Sequence, residues 1–340
     1  MSSDALSDVL RAIRLRGAVF FYVQGADPWV AEAPPSREMI PAILPGVDHL
    51  MEFHGVARGS CWAAAVGEPP ARLEEGDLVI FPQGDRHVLS SAPGMRAKAA
   101  AMPLPVGAPP SRLPLALRVD AAGATTLLDG GGAGETVVVC GFVGCDTRPF
   151  NPFLASLPRM LAVPGLAGEG SWVSSFLRMA VDESNRERPG GEAVLERMSE
   201  MLFVEVLRRY AEGLPADSAG WLSGMRDPAV GRVLSLIHQR PAEPWTLERL
   251  GEESAMSRST LHERFVHFMG RPPMQYLAQW RMQLAARWLR DTDAKVADVA
   301  REVGYENEAA FARAFNRSVG ESPAAWRRAR RALPSVLPKK

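Results

Sequence analysis

Short apolar runs separated by Pro and Gly make up most of the first hundred residues. From Phe20 to about Met102 these runs are AVFFYV, HLMEFHGVARGSCWAAA and DLVIFPQGDRHVL, and TVVVCGFVG follows later. Such punctuation is typical of β-strands joined by turns. We therefore predict a β-barrel or sandwich, interrupted by one long loop over the Pro- and Gly-rich stretch from Met102 to Gly134.

The apolar spacing then changes to steps of three and four, which predicts helices. Two helical segments, Trp172–Asn185 and Gly191–Glu212, are joined by RERPGG and should form an αα-hairpin. We interpret the apolar stripe of the second segment as core packing, with a dimer contact as the alternative; it consists of Leu195, Met198, Leu202 and Val206. The stretch GLPADSAGWLSG breaks the periodicity, which places an interdomain linker there.

The helical remainder of the chain contains an internal repeat. LHERFVHFMGRPP (Leu261–Pro273) and FARAFNRSVGESP (Phe311–Pro323) share the same pattern of apolar, Phe, Gly and Pro positions, 50 residues apart. A short amphipathic segment and a break precede each copy, at Leu247–Glu253 and Val296–Val303. A short helix, a tight turn and a second helix describe a helix-turn-helix, so two such units are predicted.

The second helix of each unit has one apolar side and one polar side. On a helical wheel Phe311 and Phe315 are buried, and each contributes about 1.5–3 kcal/mol. The same wheel buries Leu261, Phe265 and Phe268 in the first unit. The opposite sides should face outward; they carry Ser259, His262, Glu263 and Val266 in the first unit and Ala309, Ala312, Arg313 and Asn316 in the second.

Helix-end residues agree with these bounds. The N-caps are Ser257, Asn307 and Ser322 before Pro323, and the residues suited to a left-handed end are Gly270 and Gly320. Between the copies, Pro272–Arg290 should form one helix of roughly 28 Å. Its apolar stripe is Tyr276, Leu277, Trp280, Leu284, Ala285 and Trp288. A spacer of this length can hold two helices near the spacing of about 34 Å between successive major-groove faces.

The N-terminal and C-terminal parts of the chain carry opposite net charges, although the net charge of the whole chain is zero. Up to Met225 there are 19 basic and 26 acidic residues, and after it 20 and 13, which gives −7 and then +7. The C-terminal part is therefore expected to meet a polyanion. Its arginines available for phosphate contacts are Arg258, Arg264, Arg271, Arg281, Arg313, Arg317 and those of the RRARR tail.

Composition restricts the class of protein further. A chain of 340 residues with 46% hydrophobic and 23% charged residues is ordinary for two or three globular domains. No apolar run approaches the roughly 18 residues of a membrane span, and the N-terminal residues lack a signal peptide, so a cytoplasmic protein is expected. Cys61, Cys140 and Cys145 lack CxxC spacing, which argues against a disulfide framework and against a Cys-type zinc site.

The stretch WRMQLAARWLRDTDAKVADVAREVGYENEAAFARAFNRSVGESPAAWRR resembles the signature of AraC/XylS transcriptional regulators. The resemblance covers Asp227 to about Arg331 and implies two helix-turn-helix units in consecutive major-groove segments of promoter DNA. Alanines at two positions of the second reading helix leave few hydrogen-bond donors for bases. The DNA-binding residues expected from the wheel, the charges and the resemblance are Arg258, Ser259, His262, Glu263, Arg264, Arg271, Asn307, Glu308, Ala309, Ala312, Arg313, Asn316 and Arg317.

The stretch GDLVIFPQGDRHVLSS resembles the second cupin motif, with Gly76, Pro82, Gly84 and His87 at its intervals. The N-terminal region is also similar to the cupin-type sensor domains of some AraC-like regulators, which implies ligand sensing. The predicted effector pocket contains Phe21, Trp29, His54, Trp62, Phe81 and His87. No cofactor is predicted, because the His-x-His pair and later Glu of metal-binding cupins are lacking; a metal at His54 and His87, near Cys61 or Cys140, is the less favoured alternative.

The predicted fold class is multidomain α+β: an N-terminal cupin-like β-barrel with a helical hairpin, and a C-terminal all-α domain of two helix-turn-helix units joined by a long helix. The predicted domains are 1–168 (effector-sensing β-domain), 169–212 (hairpin), 213–226 (linker), 227–331 (DNA-binding domain) and 332–340 (tail). The predicted function is sequence-specific transcription regulation without catalysis, and the alternative is a metal-dependent cupin enzyme tethered to nucleic acid. The expected partners are promoter DNA, a small-molecule effector, a second copy of the chain and, for an activator, RNA polymerase, without a membrane.

Overall fold

The computed structural model describes residues 4–98, 115–128, 135–165, 171–185, 189–215 and 217–331. Its contacts divide the chain into two compact units. We call the first the helical unit; it consists of Met1–Arg14, Asp146–Ser156 and Gly213–Lys340. We call the second the β-unit; it consists of Leu15–Cys145 and Leu157–Glu212.

The strands of the β-unit form two sheets. In chain order the described strands are β1 (Arg16–Gly25), β2 (Val30–Ala33), β3 (His49–Arg58), β4 (Ser60–Ala65), β5 (Ala71–Glu74), β6 (Leu78–Phe81), β7 (His87–Ser90), β8 (Leu115–Val119), β9 (Thr125–Leu127), β10 (Thr136–Cys145) and β11 (Leu161–Val163). One sheet has the order β11-β6-β3-β10-β1-β8-β9, and the other has the order β2-β7-β4-β5. Within the described residues every pairing is antiparallel except that of β8 with β1.

The hydrophobic core of the β-unit draws on strands of both sheets. All ten residues of β10 are buried, as expected for a near-continuous apolar run. On β4 burial alternates, so that Cys61, Ala63 and Ala65 join the core while Trp62 is partly exposed. The predicted β-barrel or sandwich is therefore confirmed as a two-sheet β-domain.

The prediction of one long loop from Met102 to Gly134 is wrong in part. The chain forms β8 and β9 within this stretch, and residues 102–114 and 129–134 lie outside the described residues. Strand β8 pairs in parallel with β1, from Phe21↔Leu115 to Gly25↔Val119. A strand of five residues next to Pro and Gly has little local signal. It pairs with β9, a few residues later, and with β1, far along the chain.

Two helices of the β-unit form the predicted hairpin segments: α3 (Trp172–Asn185) and α4 (Gly191–Gly213). These follow the first helices of the chain, α1 (Ala5–Ala12) and α2 (Ile40–Ile43). Core packing is confirmed for Leu195, Leu202 and Val206, which are buried. Met198 is only half-buried and is the exception to the predicted stripe.

The helical unit contains α1 and every helix after α4. These are α5 (Trp221–Arg226), α6 (Pro228–Gln239), α7 (Leu247–Glu253), α8 (Arg258–Met269), α9 (Pro273–Asp291), α10 (Val296–Glu302), α11 (Glu308–Val319) and α12 (Pro323–Arg331). Helix α5 forms where a linker was predicted. It packs into the helical unit, because Trp221 is buried and its Nε1 donates to Oη of Tyr276 at 2.7 Å. Within the described residues, no helix is both long and apolar enough to span a membrane.

Two segments that the sequence analysis placed in the β-domain lie in the helical unit instead. Gln283 of α9 is buried, and its side chain donates to O of Ala12 and accepts from N of Phe150, both at 3.0 Å. The carboxylate of Asp146 bonds both Arg14 and Arg290. These side-chain contacts hold the described residues 4–14 and Asp146–Ser156 on α9, and no local pattern in those segments reveals them.

The helix-turn-helix units have the predicted buried faces. Phe265 packs edge-on against Tyr276 at 5.6 Å between ring centres, and His238 stacks on Trp280 at 4.1 Å. In the second unit the buried cluster includes Phe311 and Phe315, together with Leu289, Val299 and Trp326. Helix α9 supplies residues to both cores, which confirms the predicted connecting helix with its bounds shifted by one residue.

Candidate nucleic-acid interface and ligand cavity

Helices α8 and α11 begin and end on the predicted capping residues. Oγ of Ser257 accepts a hydrogen bond from N of Thr260, and Oδ1 of Asn307 accepts one from N of Ala310. Each helix then stops at a left-handed glycine, Gly270 at φ 66° and Gly320 at φ 88°. Both helices are therefore 12 residues long, and their lengths and faces were predictable from local sequence.

The predicted DNA-binding residues are accessible on the surface of the helical unit. Arg271 and Ala312 are partly exposed, and the others are exposed: Arg258, Ser259, His262, Glu263, Arg264, Asn307, Glu308, Ala309, Arg313, Asn316 and Arg317. Each unit thus presents one uncovered face of its second helix. Small side chains at Ala309 and Ala312 allow the α11 backbone to approach another surface closely.

The arginines differ in whether their charge already has a protein partner. Arg264 bonds the carboxylate of Asp227, which caps α6, and Arg258 lies 2.9 Å from Glu248. Arg313 and Arg317 form no ion pair with any residue that the structure describes. Their guanidinium groups on α11 are therefore free to bind an anion, whereas Arg264 would first have to leave Asp227.

Arg281, in the middle of α9, joins the two helix-turn-helix units. Its Nε donates to O of Pro241 at 2.7 Å, its Nη2 to O of Glu243 at 2.9 Å and its Nη1 to O of Gly304 at 3.4 Å. The first two carbonyls precede α7 of the first unit, and Gly304 follows α10 of the second. At Gly304, where φ is 81°, a Cβ would lie 2.7 Å from O of Ala242, so only glycine allows this close approach.

The β-unit has an internal cavity between its two sheets, with apolar walls and three polar groups. It encloses a space of about 30 Å³, and its lining includes Phe21, Val23, Leu89, Phe142 and Cys140. The polar groups are Glu52 and His54, which share one face of β3, and His87, the first residue of β7. All three side chains are buried.

The turn before β7 positions these polar groups. Gly84 in this turn has φ 65°, and a Cβ there would lie 2.9 Å from O of Leu50. O of Gly84 accepts from N of Ser36 at 2.9 Å, and Oγ of Ser36 donates to Oε1 of Glu52 at 2.7 Å. The second oxygen of Glu52 therefore faces His87, 3.5 Å from its Nε2.

Burial keeps the cavity groups uncharged near neutral pH. It raises the pKa of Glu52 to about 8 and lowers the pKa of His87 to about 4. It also lowers the pKa of His54, to which the nearby His87 adds. The contact between Glu52 and His87 is accordingly one between neutral groups rather than an ion pair. Burial raises the pKa of Cys61 to about 12 and that of Cys140 well above its usual value, so neither thiol offers a thiolate.

The structure brings together three of the six predicted pocket residues, Phe21, His54 and His87. Phe81 lies behind the cavity and stacks on His87 at 3.8 Å between ring centres, and Trp29 is buried in the core. Trp62 lines a separate, more open cavity of about 120 Å³, because it points away from the core side of β4.

Two residues of this cavity were not among the predicted pocket residues. Glu52 had a usable signal, since it lies two positions before His54 on a strand and therefore shares its face. Ser36 had none. It lies in the short 3₁₀ helix Ser36–Glu38 and meets Glu52 only through the tertiary structure.

Comparison with known proteins gives two family matches and several similar chains. A family model described as Cupin matches residues 4–212, and one described as Helix-turn-helix domain matches residues 250–329. A putative AraC-like transcription regulator of Streptomyces lividans is 30% identical over 327 residues, covering 96% of this chain and 98% of that one. The HTH-type transcriptional regulator AlkR of Acinetobacter baylyi is 25% identical, covering 95% of this chain and 99% of its own. Among solved structures, a similar chain is the DNA-binding domain of AdpA, a global transcriptional factor, crystallised in complex with a target DNA. Its sequence is 34% identical, the match covers 31% of this chain and 95% of that chain, and the TM-score is 0.30.

A β-domain combined with two helix-turn-helix units defines a DNA-binding regulator of transcription. The chain belongs to the AraC-type transcription regulators that carry an N-terminal cupin domain. The resemblance drawn from the sequence is confirmed.

Arg281→Met should loosen the junction between the two helix-turn-helix units. The substitution keeps much of the side-chain volume but removes the donors to three carbonyl groups, and each hydrogen bond lost costs about 0.5–1.5 kcal/mol. We expect faster amide hydrogen exchange in peptides spanning 240–246 and 302–306. Arg287→Met is the matched control, because Arg287 is on the same helix and lies only near Asp291, at 3.8 Å. Equal exchange in the two variants would contradict the role of Arg281.

Proposed function

We propose that this regulator contacts promoter DNA through α8 and α11 and responds to an effector bound in the cavity of the β-unit. The observation that supports it is the pair of uncovered, correctly capped second helices in a part of the chain with net charge +7, together with a β-unit whose apolar internal cavity contains three polar groups. The curated relatives are described as transcription regulators, which supports regulation rather than catalysis.

The DNA-binding residues that we propose are the exposed ones of α8 and α11 and their flanks. In α11, Arg313 and Arg317 supply charge for phosphates or base edges, while the alanines permit close approach. In α8, Ser259 and His262 supply hydrogen bonds, and Glu263 can accept one from a cytosine amino group. Base recognition therefore depends more on α8, and electrostatic attraction more on α11.

The effector part of the proposal depends on a route from the cavity to the helical unit. Cys140 and Phe142, which line the cavity, lie on β10, and Asp146 follows that strand directly. The carboxylate of Asp146 bonds Arg290 near the end of α9. A ligand that shifts β10 therefore pulls on a residue attached to the helix that carries both DNA-binding units. Such a ligand regulates only if it binds the DNA-competent and DNA-incompetent arrangements with different affinity.

We further propose that the regulator forms a homodimer through the outer face of α4. Val194 and Met201 are 46% and 57% exposed, and they lie seven positions apart on one face, with half-buried Met198 between them. A second copy of α4 would cover this apolar stripe by two-fold symmetry. RNA polymerase is a further proposed partner if the regulator acts as an activator.

Arg313→Ala should weaken promoter binding and reduce its dependence on salt. Loss of one phosphate contact lowers the slope of log K against log salt by about 0.9; loss of a base contact instead relaxes specificity at one position, at a cost of about 1–3 kcal/mol. Binding isotherms at several salt concentrations, on promoter fragments found by genome-wide mapping, measure both. Arg72→Ala removes an equal, exposed charge from β5 of the β-unit and is the control. An unchanged isotherm for Arg313→Ala would rule out both roles.

Cys140→Leu should abolish effector response while leaving promoter binding in place, because the added methyl groups occupy the cavity. The compounds to test are substrates of genes adjacent to mapped binding sites, and the measurement is promoter affinity with and without each compound. We expect a change of about 5–150-fold in the wild type. Trp62→Ala is the control outside the cavity, and a compound that acts equally on Cys140→Leu does not bind there.

Val194→Glu combined with Met201→Glu should convert a dimer into a monomer, since like charges without a partner of opposite sign cannot be buried in an apolar contact. Sedimentation equilibrium should give twice 36.9 kDa for the wild type and 36.9 kDa for the variant. Leu127→Glu is the control, because Leu127 is 61% exposed on β9 of the same unit. A monomeric wild type, or a variant that stays dimeric, would exclude this interface.

A further inference from the structure

A cleft at the surface of the β-unit is much larger than the cavity between the two sheets. It encloses about 370 Å³, compared with about 30 Å³ for the internal cavity, and small-molecule sites typically enclose about 300–1,000 Å³. Its lining comes from the 3₁₀ helix Ser36–Glu38, the start of β3 and the turn of residues 83–86 before β7. We call it the outer cleft. We propose that it binds one small organic anion, a carboxylate or a phosphate ester, and that this anion is an effector of the regulator.

The charges that line the outer cleft favour an anion. The lining contains three basic residues, Arg37, Arg86 and Arg159, and two acidic ones, Asp48 and Asp85, which gives it a net charge of +1. The N-terminal part of the chain, by contrast, has a net charge of −7. The outer cleft is therefore a locally positive site in an acidic part of the protein, and such a site raises the local concentration of small anions.

Two of the three arginines are available to a ligand. Arg37 is exposed and forms no ion pair with any residue that the structure describes. Arg86 lies 3.6 Å from Glu32, but that carboxylate already accepts two shorter hydrogen bonds from Arg96, at 2.7 and 3.0 Å. The charge of Arg86 is therefore only weakly compensated. The planar guanidinium groups of Arg37 and Arg86 match the geometry of carboxylate and phosphate oxygens.

The third arginine neutralises an acidic residue of the lining and helps to fix the turn. Nε of Arg159 donates to Oδ2 of Asp85 at 2.8 Å, and its Nη1 donates to Oε1 of Glu68 at 3.0 Å. Because Asp85 is paired, its charge opposes a bound anion less. In the same turn, Nε2 of Gln83 donates to O of Leu157 at 2.9 Å. These contacts hold the turn in one arrangement before a ligand binds, which lowers the cost of binding.

The remaining side chains of the outer cleft favour an organic anion over an inorganic one. Pro35, Ile40 and Val66 line it and are half-buried. An inorganic ion held by the arginines would leave these apolar groups in contact with water. A short hydrocarbon body attached to the anionic group would cover them and contribute about 25 cal/mol per Å² of apolar surface buried.

The outer cleft is connected to the polar groups of the internal cavity through Ser36. N of Ser36 donates to O of Gly84 at 2.9 Å, which joins the 3₁₀ helix that carries Arg37 to the turn that carries Arg86. Oγ of Ser36 donates to Oε1 of Glu52 at 2.7 Å. An anion that draws the two arginines together therefore acts on a residue bonded to Glu52. The site stands on its own geometry, and only the regulatory role of the anion rests on the proposed function.

The test uses the full-length protein and two organic anions, glycerol 3-phosphate and succinate. Isothermal titration calorimetry at an ionic strength held constant with NaCl should give one bound anion per chain for at least one of them. Arg37→Gln and Arg86→Gln should each weaken this binding about 10–100-fold, because each removes a charge-assisted hydrogen bond. Binding of glycerol 3-phosphate alone assigns the site to phosphate esters, and binding of succinate alone assigns it to carboxylates.

Arg118→Gln is the matched control. Arg118 is also exposed and forms no ion pair with the residues that the structure describes, but it lies on β8 and does not line the outer cleft. This variant should bind the anion as the wild type does, and circular dichroism checks that all three variants are folded. Absence of binding by both anions, an equal loss in Arg118→Gln, or wild-type binding by both Arg37→Gln and Arg86→Gln would overturn the site.

Promoter affinity measured with and without the bound anion, at constant ionic strength, separates the site from its role. A change of at least about 5-fold in the wild type that is lost in Arg86→Gln supports the anion as effector. Anion binding that leaves promoter affinity unchanged overturns the regulatory role and keeps the site. Promoter binding by a protein that binds neither anion overturns the site and leaves the proposed DNA contacts intact.

Discussion

Helix α9 belongs to the hydrophobic cores of both helix-turn-helix units, and the geometry of the helical unit depends on this sharing. Tyr276 and Trp280 pack into the first unit, while Met282 and Leu289 pack into the second. Because one helix carries both sets, the angle between α8 and α11 cannot change unless a core opens or α9 bends. Arg281 adds hydrogen bonds to carbonyls of both units at the point where the two cores meet. Helices α8 and α11 are thus presented as one rigid pair.

Whereas apolar side chains fill the cores of the helical unit, the β-unit buries a group of polar side chains inside an apolar shell. Burying Glu52, His54 and His87 opposes folding, since each loses hydration that the surrounding Phe and Leu side chains cannot replace. Ser36 and the Asp85 carbonyl compensate only part of this cost. A site that is partly unsatisfied and encloses little space is suited to a small ligand whose binding completes its contacts. The rigid pair of helices and this incomplete cavity are linked along the chain by β10 and Asp146.

The features predicted correctly from the sequence depend on interactions between residues close together in the chain, and the missed features depend on residues far apart. The caps Ser257 and Asn307 and the terminal Gly270 act within one turn of their helix, and all three were predictable. Strand β8 was missed because five residues beside Pro and Gly have little local signal, and its pairing with β1 joins strands that are far apart in the chain. Glu52 was not among the predicted pocket residues, although its spacing from His54 already placed both on one face of a strand.

The sequence by itself determined the secondary-structure periods, the helix ends, the duplicated helix-turn-helix and the basic charge of the C-terminal part. These depend on side-chain spacing along one element, which the order of residues specifies directly. Only the tertiary structure decided that His87 meets Glu52 and His54, and that residues 4–14 and Asp146–Ser156 pack on α9. Such contacts join residues that are distant in the chain, and their formation depends on the register of whole strands and on the burial of faces that no single segment encodes.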